Sequence, residues 1–318
     1  MMTIPEFAAF LKNHDHFVIL THRRPDGDTI GSAAALCRAL RSMKKDAWVL
    51  DNGQFTPRFA PFLEGLVCAD VQEGAVVLAV DIATDDLLSF RAEALHLSPD
   101  AAIDHHARND LTCPRKLVMA DCAACGEIVS LLLEAMQLPL TPEIASCLYV
   151  AISTDTGCFR YRNTSAATLR HTAKLLEAGA DAAEINRIFF DTKSLSRLRL
   201  ESYLTDSMEF FAGGTVCLCT IPDAVLQKLG ATEDDIASIS GFARSVEGVH
   251  IGITVREEDG GKKGKLSLRT DKHYDANALC SQLGGGGHAA AAGASVPGGM
   301  EAARAAILKV LTDNGIAL

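Results

Sequence analysis

From residue 22 to residue 28 the chain reads His22-Arg23-Arg24-Pro25-Asp26-Gly27-Asp28, which gathers one imidazole and two carboxylates within seven residues. Pro25 and Gly27 favour a turn, and a turn lets Asp26 and Asp28 converge on one point. The same residues would also serve as a solvated loop in which Asp28 or Thr29 caps the helix that follows. Asp81 ends a run of six apolar residues, 75–80, where a buried carboxylate is costly unless a cation or hydrogen-bond donors compensate it. Asp104-His105-His106 closes a second apolar run, 101–103. A lone buried histidine is more often a hydrogen-bonded core residue than a ligand. Asp155, in Ser153-Thr154-Asp155-Thr156-Gly157, also reads as an Asx-type helix stop. Taken together, His22, Asp26, Asp28, Asp81, His105 and Asp155 form a mixed carboxylate and imidazole set suited to two divalent ions. Its carboxylate-heavy balance favours manganese, with iron or cobalt as substitutes, over magnesium, which prefers oxygen and water, and zinc, which prefers more thiolate or imidazole.

The elements that must position these groups follow from the apolar pattern. Over residues 1–190, short apolar strands (17–21, 47–50, 75–80 and 101–103) alternate with helical stretches (from about Ile30, then 126–138, 141–153 and 164–178). This is the pattern of an α/β domain whose sheet is mainly parallel and flanked by helices. Ala34, Leu36, Ala39 and Leu40 supply the apolar face of the helix after residue 30, and Thr141, Pro142 and Glu143 stand in the order of cap, first turn and capping acid. In open sheets of this kind ligands sit beyond the carboxyl ends of the strands, so Asp81 and Asp104 are site candidates by position alone. Residues 191–211, with leucines at 195, 198 and 204, read as a helical connector. Residues 212–318 read as a smaller C-terminal α/β domain, with strands near 214–220, 250–256 and 265–269 and a hairpin tip at 257–265. In its loop from Leu283 to Gly293 four glycines precede His288. Such a run is either a passive linker or a close backbone approach to a ligand, and the histidine favours the ligand.

Composition narrows the function classes. The 318 residues are 48% hydrophobic, 22% charged and 6% aromatic, which fits a globular chain of about two domains and excludes disorder and collagen. The longest clean apolar run, six residues, is far short of the roughly 20 that a spanning helix needs, so no membrane partner is expected. The amino terminus lacks a basic leader and apolar block, so it reads as a mature start, and the ten scattered cysteines fit a reducing compartment. Both point to the cytoplasm. Cys122 and Cys125 form a C-x-x-C without a second pair at finger spacing, so structural zinc is not expected there. With 30 Lys and Arg against 40 Asp and Glu, the net charge of -10 opposes binding along a long duplex. A short anionic substrate would need bound metal ions or a few placed arginines.

The motif H-x-x-P-D-G-D-x-x-G-S from His22 to Ser32, the strand-terminal Asp81, the triplet Asp104-His105-His106, Thr154-Asp155-Thr156-Gly157 and the late Gly-Gly-Gly-Gly-His288 occur together and in family order. Together they resemble the DHH phosphoesterase family with its DHH-associated C-terminal domain, over nearly the whole chain. With no membrane or sensory segment and no added oligonucleotide-binding domain, the chain looks like the compact bacterial nanoRNase and pAp phosphatase branch. The resemblance implies one metal on His22, Asp26 and Asp81 and another on Asp28, Asp81, His105 and Asp155, with Asp81 bridging. It implies that Asp104 supports the site by orienting the histidines and that His106 contacts the scissile phosphate. It also implies a phosphate grip from Arg269, with Arg244 as a weaker candidate, and an anion site at His288 and the amides of Gly285, Gly286 and Gly287. Ala289 and Ala290 stand where many relatives carry a proline or a polar residue. The implied reactions, through metal-activated water, are hydrolysis of di- to pentanucleotides of RNA to 5'-mononucleotides and of adenosine 3',5'-bisphosphate (pAp) to AMP. Cyclic or linear dinucleotide phosphodiesterase, exopolyphosphatase or pyrophosphatase, and a non-catalytic nucleotide-binding sensor remain open, as does assembly into a homodimer.

Overall fold

Phe17 and Ile19 alternate with Val18 and Leu20, and all four are buried, so the strand they form must be covered on both faces. In the computed structural model, which describes residues 1–237 and 239–317, that strand lies inside a sheet with separate apolar clusters on its two sides. The chain divides after Thr192 into two units.

The first unit opens with α1 (Ile4–Asn13), started by a Thr3–Glu6 capping box with proline in the first turn, a helix the sequence reading passed over. There follow β1 (Phe17–Leu20), α2 (Gly27–Ser42), β2 (Ala47–Leu50), the short α3 (Ala60–Leu63), β3 (Val67–Cys68), β4 (Val76–Val80), α4 (Phe90–Ala94), β5 (Ala101–Asp104) and β6 (Lys116–Val118). Helices α5 (Cys125–Met136), α6 (Pro142–Asp155), α7 (Ala166–Glu177) and α8 (Ala182–Asn186) complete it. The strand order is β3-β2-β1-β4-β5-β6 with every pairing parallel. The chain steps outward from β1 to β3 and returns to the other side of β1 at β4. Strand order therefore reverses between β1 and β4, where a doubly wound sheet opens a crevice at its carboxyl edge.

Two boundaries differ from expectation for a physical reason. Helix α2 starts at Gly27, not near Ile30, because Asp26 is its N-cap: one carboxylate oxygen accepts the amides of Asp28 at 3.0 Å and Thr29 at 3.2 Å. Helix α6 continues through Asp155 instead of stopping at Ser153, so Asp155 belongs to its last turn and Thr156 is the cap. Glycine sets the distance between the two helices. A Cβ on Gly27 would lie 2.3 Å from Thr154 Oγ1, and one on Gly31 would lie 2.3 Å from the Cys147 carbonyl oxygen, so only hydrogen fits at either contact.

The second unit contains α9 (Leu195–Asp206), β7 (Glu209–Phe211), β8 (Val216–Ile221), α10 (Asp223–Leu229), α11 (Glu233–Ala237), β9 (Ile251–Glu258), β10 (Lys263–Thr270), α12 (Ala276–Ser281), β11 (Gly286–His288), β12 (Ala291–Pro297) and α13 (Gly299–Asp313). Its mixed sheet has the order β11-β12-β10-β9-β8-β7. Helix α9 packs Leu200 and Leu204 with Cys217, Cys219 and Ile221 of β8, whereas Leu195 and Leu198, two of the leucines that suggested its apolar face, are exposed. The glycine-rich loop is also different from expectation: residues 286–288 form an edge strand that pairs antiparallel with β12. A Cβ on Gly285 would meet Ala294 Cβ at 2.6 Å and one on Gly287 would meet Ala292 Cα at 2.7 Å, so these glycines let the hairpin close on itself. A Cβ on Gly286 would make only an ordinary contact, 3.7 Å from Asn277 Oδ1.

Candidate metal centre

The carboxyl ends of β1, β4 and β5 deliver His22, Asp81 and Asp104 to one edge of the sheet, and the facing ends of α2 and α6 deliver Asp28 and Asp155. Asn52 fixes the exit of β1 by donating to Thr21 Oγ1 at 2.9 Å and to the His22 carbonyl at 3.3 Å. Thr29 ties the first turn of α2 to β4 by donating its hydroxyl to the Val80 carbonyl at 2.9 Å. Asp81 then leaves β4 at φ 61°, a left-handed conformation that aspartate tolerates better than most residues and that clusters at functional sites.

Two groups of donor atoms form around Asp81. On one side His22 Nε2 lies 3.5 Å from Asp26 Oδ1 and 3.7 Å from Asp81 Oδ2. On the other, His105 Nε2 lies 3.6 Å from Asp81 Oδ1, 3.7 Å from Asp28 Oδ2 and 3.8 Å from Asp155 Oδ2. Asp81 thus turns one oxygen toward each histidine. These separations are too long for hydrogen bonds and suit ligands that share an ion at bonds of about 2.0–2.2 Å. Both histidines offer Nε2 because Nδ1 is engaged elsewhere, with the Arg23 carbonyl at 2.9 Å for His22 and the Cys122 carbonyl at 3.4 Å for His105. A carbonyl can only accept, so Nδ1 carries the proton and Nε2 keeps its lone pair for the centre.

The electrostatics point the same way. Asp28, Asp81 and Asp104 are 1%, 3% and 0% exposed, and the ion pairs seen at them among the described residues are with histidines. Burial, then the neighbouring carboxylates, push Asp28 and Asp81 well above the usual carboxylate range. Burial and the Asp26 charge raise Asp155 to about 7. Burial also lowers His105, with the charge of His106 adding to it, which keeps its imidazole neutral. Asp81 Oδ1 is buried without a hydrogen-bond partner. A carboxylate cluster that repels itself, the neutral imidazole of His105 and an orphaned oxygen at their common centre fit divalent cations, so the donor set passes the test that a metal site demands.

Asp104 behaves differently. One oxygen accepts from His106 Nδ1 at 2.8 Å and the other from Asn109 at 2.7 Å. Burial alone would raise it, but these two donors hold it below its ordinary value. His106 is raised in turn, first by that hydrogen bond.

Several supporting groups escaped the sequence. Asp28 accepts the amides of Cys125 at 2.7 Å and Gly126 at 3.0 Å at the start of α5, and the Ser32 hydroxyl at 3.0 Å. Asn163 donates to the Asp155 carbonyl at 3.1 Å. Asn52, Asn109 and Asn163 act from loops, where no periodicity marks them.

The second unit brings together part of the expected anion grip. Arg269 on β10 lines a groove of about 520 Å³ with Lys265, Ser267, Gly285 and Gly286, and its guanidinium donates to Ser240 Oγ at 2.9 Å. Arg244, Gly287 and His288 are outside that lining, although His288 is exposed at the end of β11. Two of the three glycine amides are occupied within the fold: Gly285 donates to the Cys280 carbonyl at 3.0 Å and Gly287 to Asn277 Oδ1 at 2.9 Å. Gly286, between them, pairs with Gly293 of β12.

Residues 16–152 match the DHH family, N-terminal domain, and residues 214–314 match the DHHA1 domain. The chain is 34% identical over 285 residues to a bifunctional oligoribonuclease and PAP phosphatase NrnA from Thermus thermophilus, covering 88% of this chain and 84% of that protein. It is 26% identical over 300 residues to the protein of the same name from Bacillus subtilis, covering 92% of each. The crystal structure of an exopolyphosphatase-related protein from Bacteroides fragilis superposes with a TM-score of 0.82 at 26% identity, over 98% of this chain and 95% of that one. No helix among the described residues is long and apolar enough to cross a membrane.

Proposed function

The chain belongs to the DHH family, and from that premise we propose that it is a metal-dependent phosphoesterase that hydrolyses short oligoribonucleotides to 5'-mononucleotides and pAp to AMP. The observation that carries this reading is Asp81, whose two oxygens face His22 at 3.7 Å and His105 at 3.6 Å. We assign one divalent ion to His22, Asp26 and Asp81 and a second to Asp28, Asp81, His105 and Asp155, with manganese favoured by the carboxylate-rich donors. When bound, the ions supply acidified water and the positive charge that phosphate-ester hydrolysis needs near neutral pH.

The chain's own residues do the rest. Asp81 aligns the two halves of the centre, and its fixed left-handed backbone keeps it from swinging away. Asp104 holds the Nδ1 proton of His106, so the remaining ring nitrogen is free to donate to a non-bridging oxygen of the scissile phosphate. The raised His106 pKa favours the protonated ring that such a contact needs. We assign the metal-binding chemistry to residues 1–190, with 191–211 as the connecting helical segment, and substrate binding to 212–318. On that second unit Arg269 grips a phosphate, with Gly286, His288 and Arg244 as further contacts. Both reactions break an ester at the sugar 3'-oxygen, so one nucleophile position serves both. The net charge of -10 offers no track for a long duplex.

A substrate panel tests the reading. The manganese-loaded chain is incubated with pApA, a pentanucleotide, a 24-mer, cyclic di-AMP, pAp and pyrophosphate, and the products are resolved. Release of AMP from pApA, the pentanucleotide and pAp, with the 24-mer largely intact, is expected. Preferential turnover of cyclic di-AMP or pyrophosphate would overturn the substrate assignment, and no turnover of any compound would leave a binding protein.

A further inference from the structure

The second unit holds another set of metal-ligating side chains. His250 immediately precedes β9 and Asp271 immediately follows β10, and Ile251 pairs with Thr270, so the two residues are neighbours at the open end of that strand pair. The Asp271 amide donates to the His250 carbonyl at 3.1 Å, and His250 Nδ1 donates to Asp271 Oδ2 at 2.7 Å. His273 follows in the next turn, donating its amide to Asp271 Oδ1 at 2.9 Å, and its ring stands 5.2 Å from that of His250 at an angle of 71°. One ligand atom from each of the three residues lies within 4.8 Å of the other two. A simple ion pair at a strand end would account for His250 and Asp271 but gives no role to the imidazole of His273.

We propose that His250, Asp271 and His273 bind one zinc ion. Two borderline imidazole nitrogens beside one carboxylate form a donor set that zinc accepts, unlike the carboxylate-rich set of the first unit. His250 and Asp271 are partly buried and His273 is exposed, which leaves an entry path and a fourth position for water. The ion replaces the proton between His250 Nδ1 and Asp271 Oδ2, and that proton leaves to solvent. Bonds of about 2.0–2.2 Å in tetrahedral geometry place two ligands about 3.3 Å apart, so this pair opens by roughly half an ångström. The ion would then pin the turn from which Asp275 caps α12, and α12 in turn donates the Ala276 amide to the Ala289 carbonyl at the tip of the β11–β12 hairpin. Zinc at this point stiffens the support of the glycine-rich hairpin without entering the metal centre of the first unit.

The test is zinc stoichiometry of the full chain, stripped with chelator and dialysed against buffered zinc. His273→Ala should bind one equivalent less than the wild type, and His273→Cys should restore it. In an Asp81→Asn/Asp155→Asn background, which weakens the first centre, one equivalent should remain and then disappear with His273→Ala. Circular dichroism of each variant in chelator checks the fold. Equal zinc content in the wild type and a folded His273→Ala would overturn the proposal, whatever the substrate panel shows.

Discussion

Gly27 packs directly on Thr154, and the contact sets the spacing between the two carboxylates that follow them in sequence, Asp28 and Asp155. A methyl group at residue 27 would lie 2.3 Å from Thr154 Oγ1 and 2.5 Å from its Cγ2, so α2 and α6 would have to part. Gly27→Ala should therefore cost about 1–3 kcal/mol of stability, as overpacking generally does. It should also weaken metal binding, because His105 Nε2 reaches both carboxylates within 3.8 Å only at the present separation. Denaturant melts together with manganese titration check this. Wild-type affinity in the variant would mean that the helices do not set the site.

Asp81→Asn should separate folding from function. Asparagine keeps the shape and accepts the left-handed backbone, while it removes the charge that Asp28, Asp26 and Asp104 oppose. In chelator the variant should melt at or above the wild-type temperature. Its turnover should fall by more than the roughly 10- to 100-fold expected for a supporting residue, and its metal-induced rise in melting temperature should shrink. Thermal scans with and without manganese, beside initial rates, decide the matter.

Much of this centre was legible because its groups end apolar strands or sit in a turn between a strand and a helix. Asp81 and Asp104 announce themselves as charges that stop apolar runs, and the parallel sheet follows from the same runs. What escaped was whatever depends on tertiary approach. Asp26, not Asp28, caps α2 because Asp28 turns inward to the amides of Cys125 and Gly126, nearly a hundred residues away in sequence. The hairpin at Gly286 carries no strand signal, since its pairing depends on the absence of side chains at Gly285 and Gly287. Leu195 and Leu198 misled because helical spacing alone does not say which face is covered; of the expected leucines Leu204 meets β8, and it does so beside Leu200.

Asp104→Asn should act through His106. The carboxylate accepts the Nδ1 proton at 2.8 Å and raises the imidazole pKa, so its removal lowers that pKa. If the protonated ring serves the phosphate, activity is lost as pH rises through the His106 pKa, and in the variant this loss should begin at lower pH. The rate at the optimum should drop by about 10- to 100-fold with metal content unchanged. A pH profile whose alkaline limb stays in place would remove His106 from the phosphate contact.

The metal-free chain should lose stability as pH rises toward neutrality, opposite to a protein held by ordinary ion pairs. Asp28, Asp81 and Asp155 all have folded-state pKa values above their unfolded value of about 3.9. Below that value both states are protonated and nothing is lost. Above it the unfolded chain ionises while the folded one keeps its protons, so stability falls, and for Asp155 the fall continues to about pH 7. Asp104, whose pKa is lowered, acts only at more acidic pH, while His105, also lowered, opposes the trend below about 6.5. The difference in pH slope between wild type and Asp155→Asn therefore isolates one carboxylate. In chelator the wild-type melting temperature should decline relative to Asp155→Asn between pH 5 and 7, by about 2–4 °C per kcal/mol for a unit of this size. Manganese should reverse the decline, with an increment that grows with pH because each ligand must shed its proton before it binds. Parallel slopes for the two proteins in chelator would show that Asp155 ionises without resistance, and the crowding of carboxylates would then not be what readies this centre for cations.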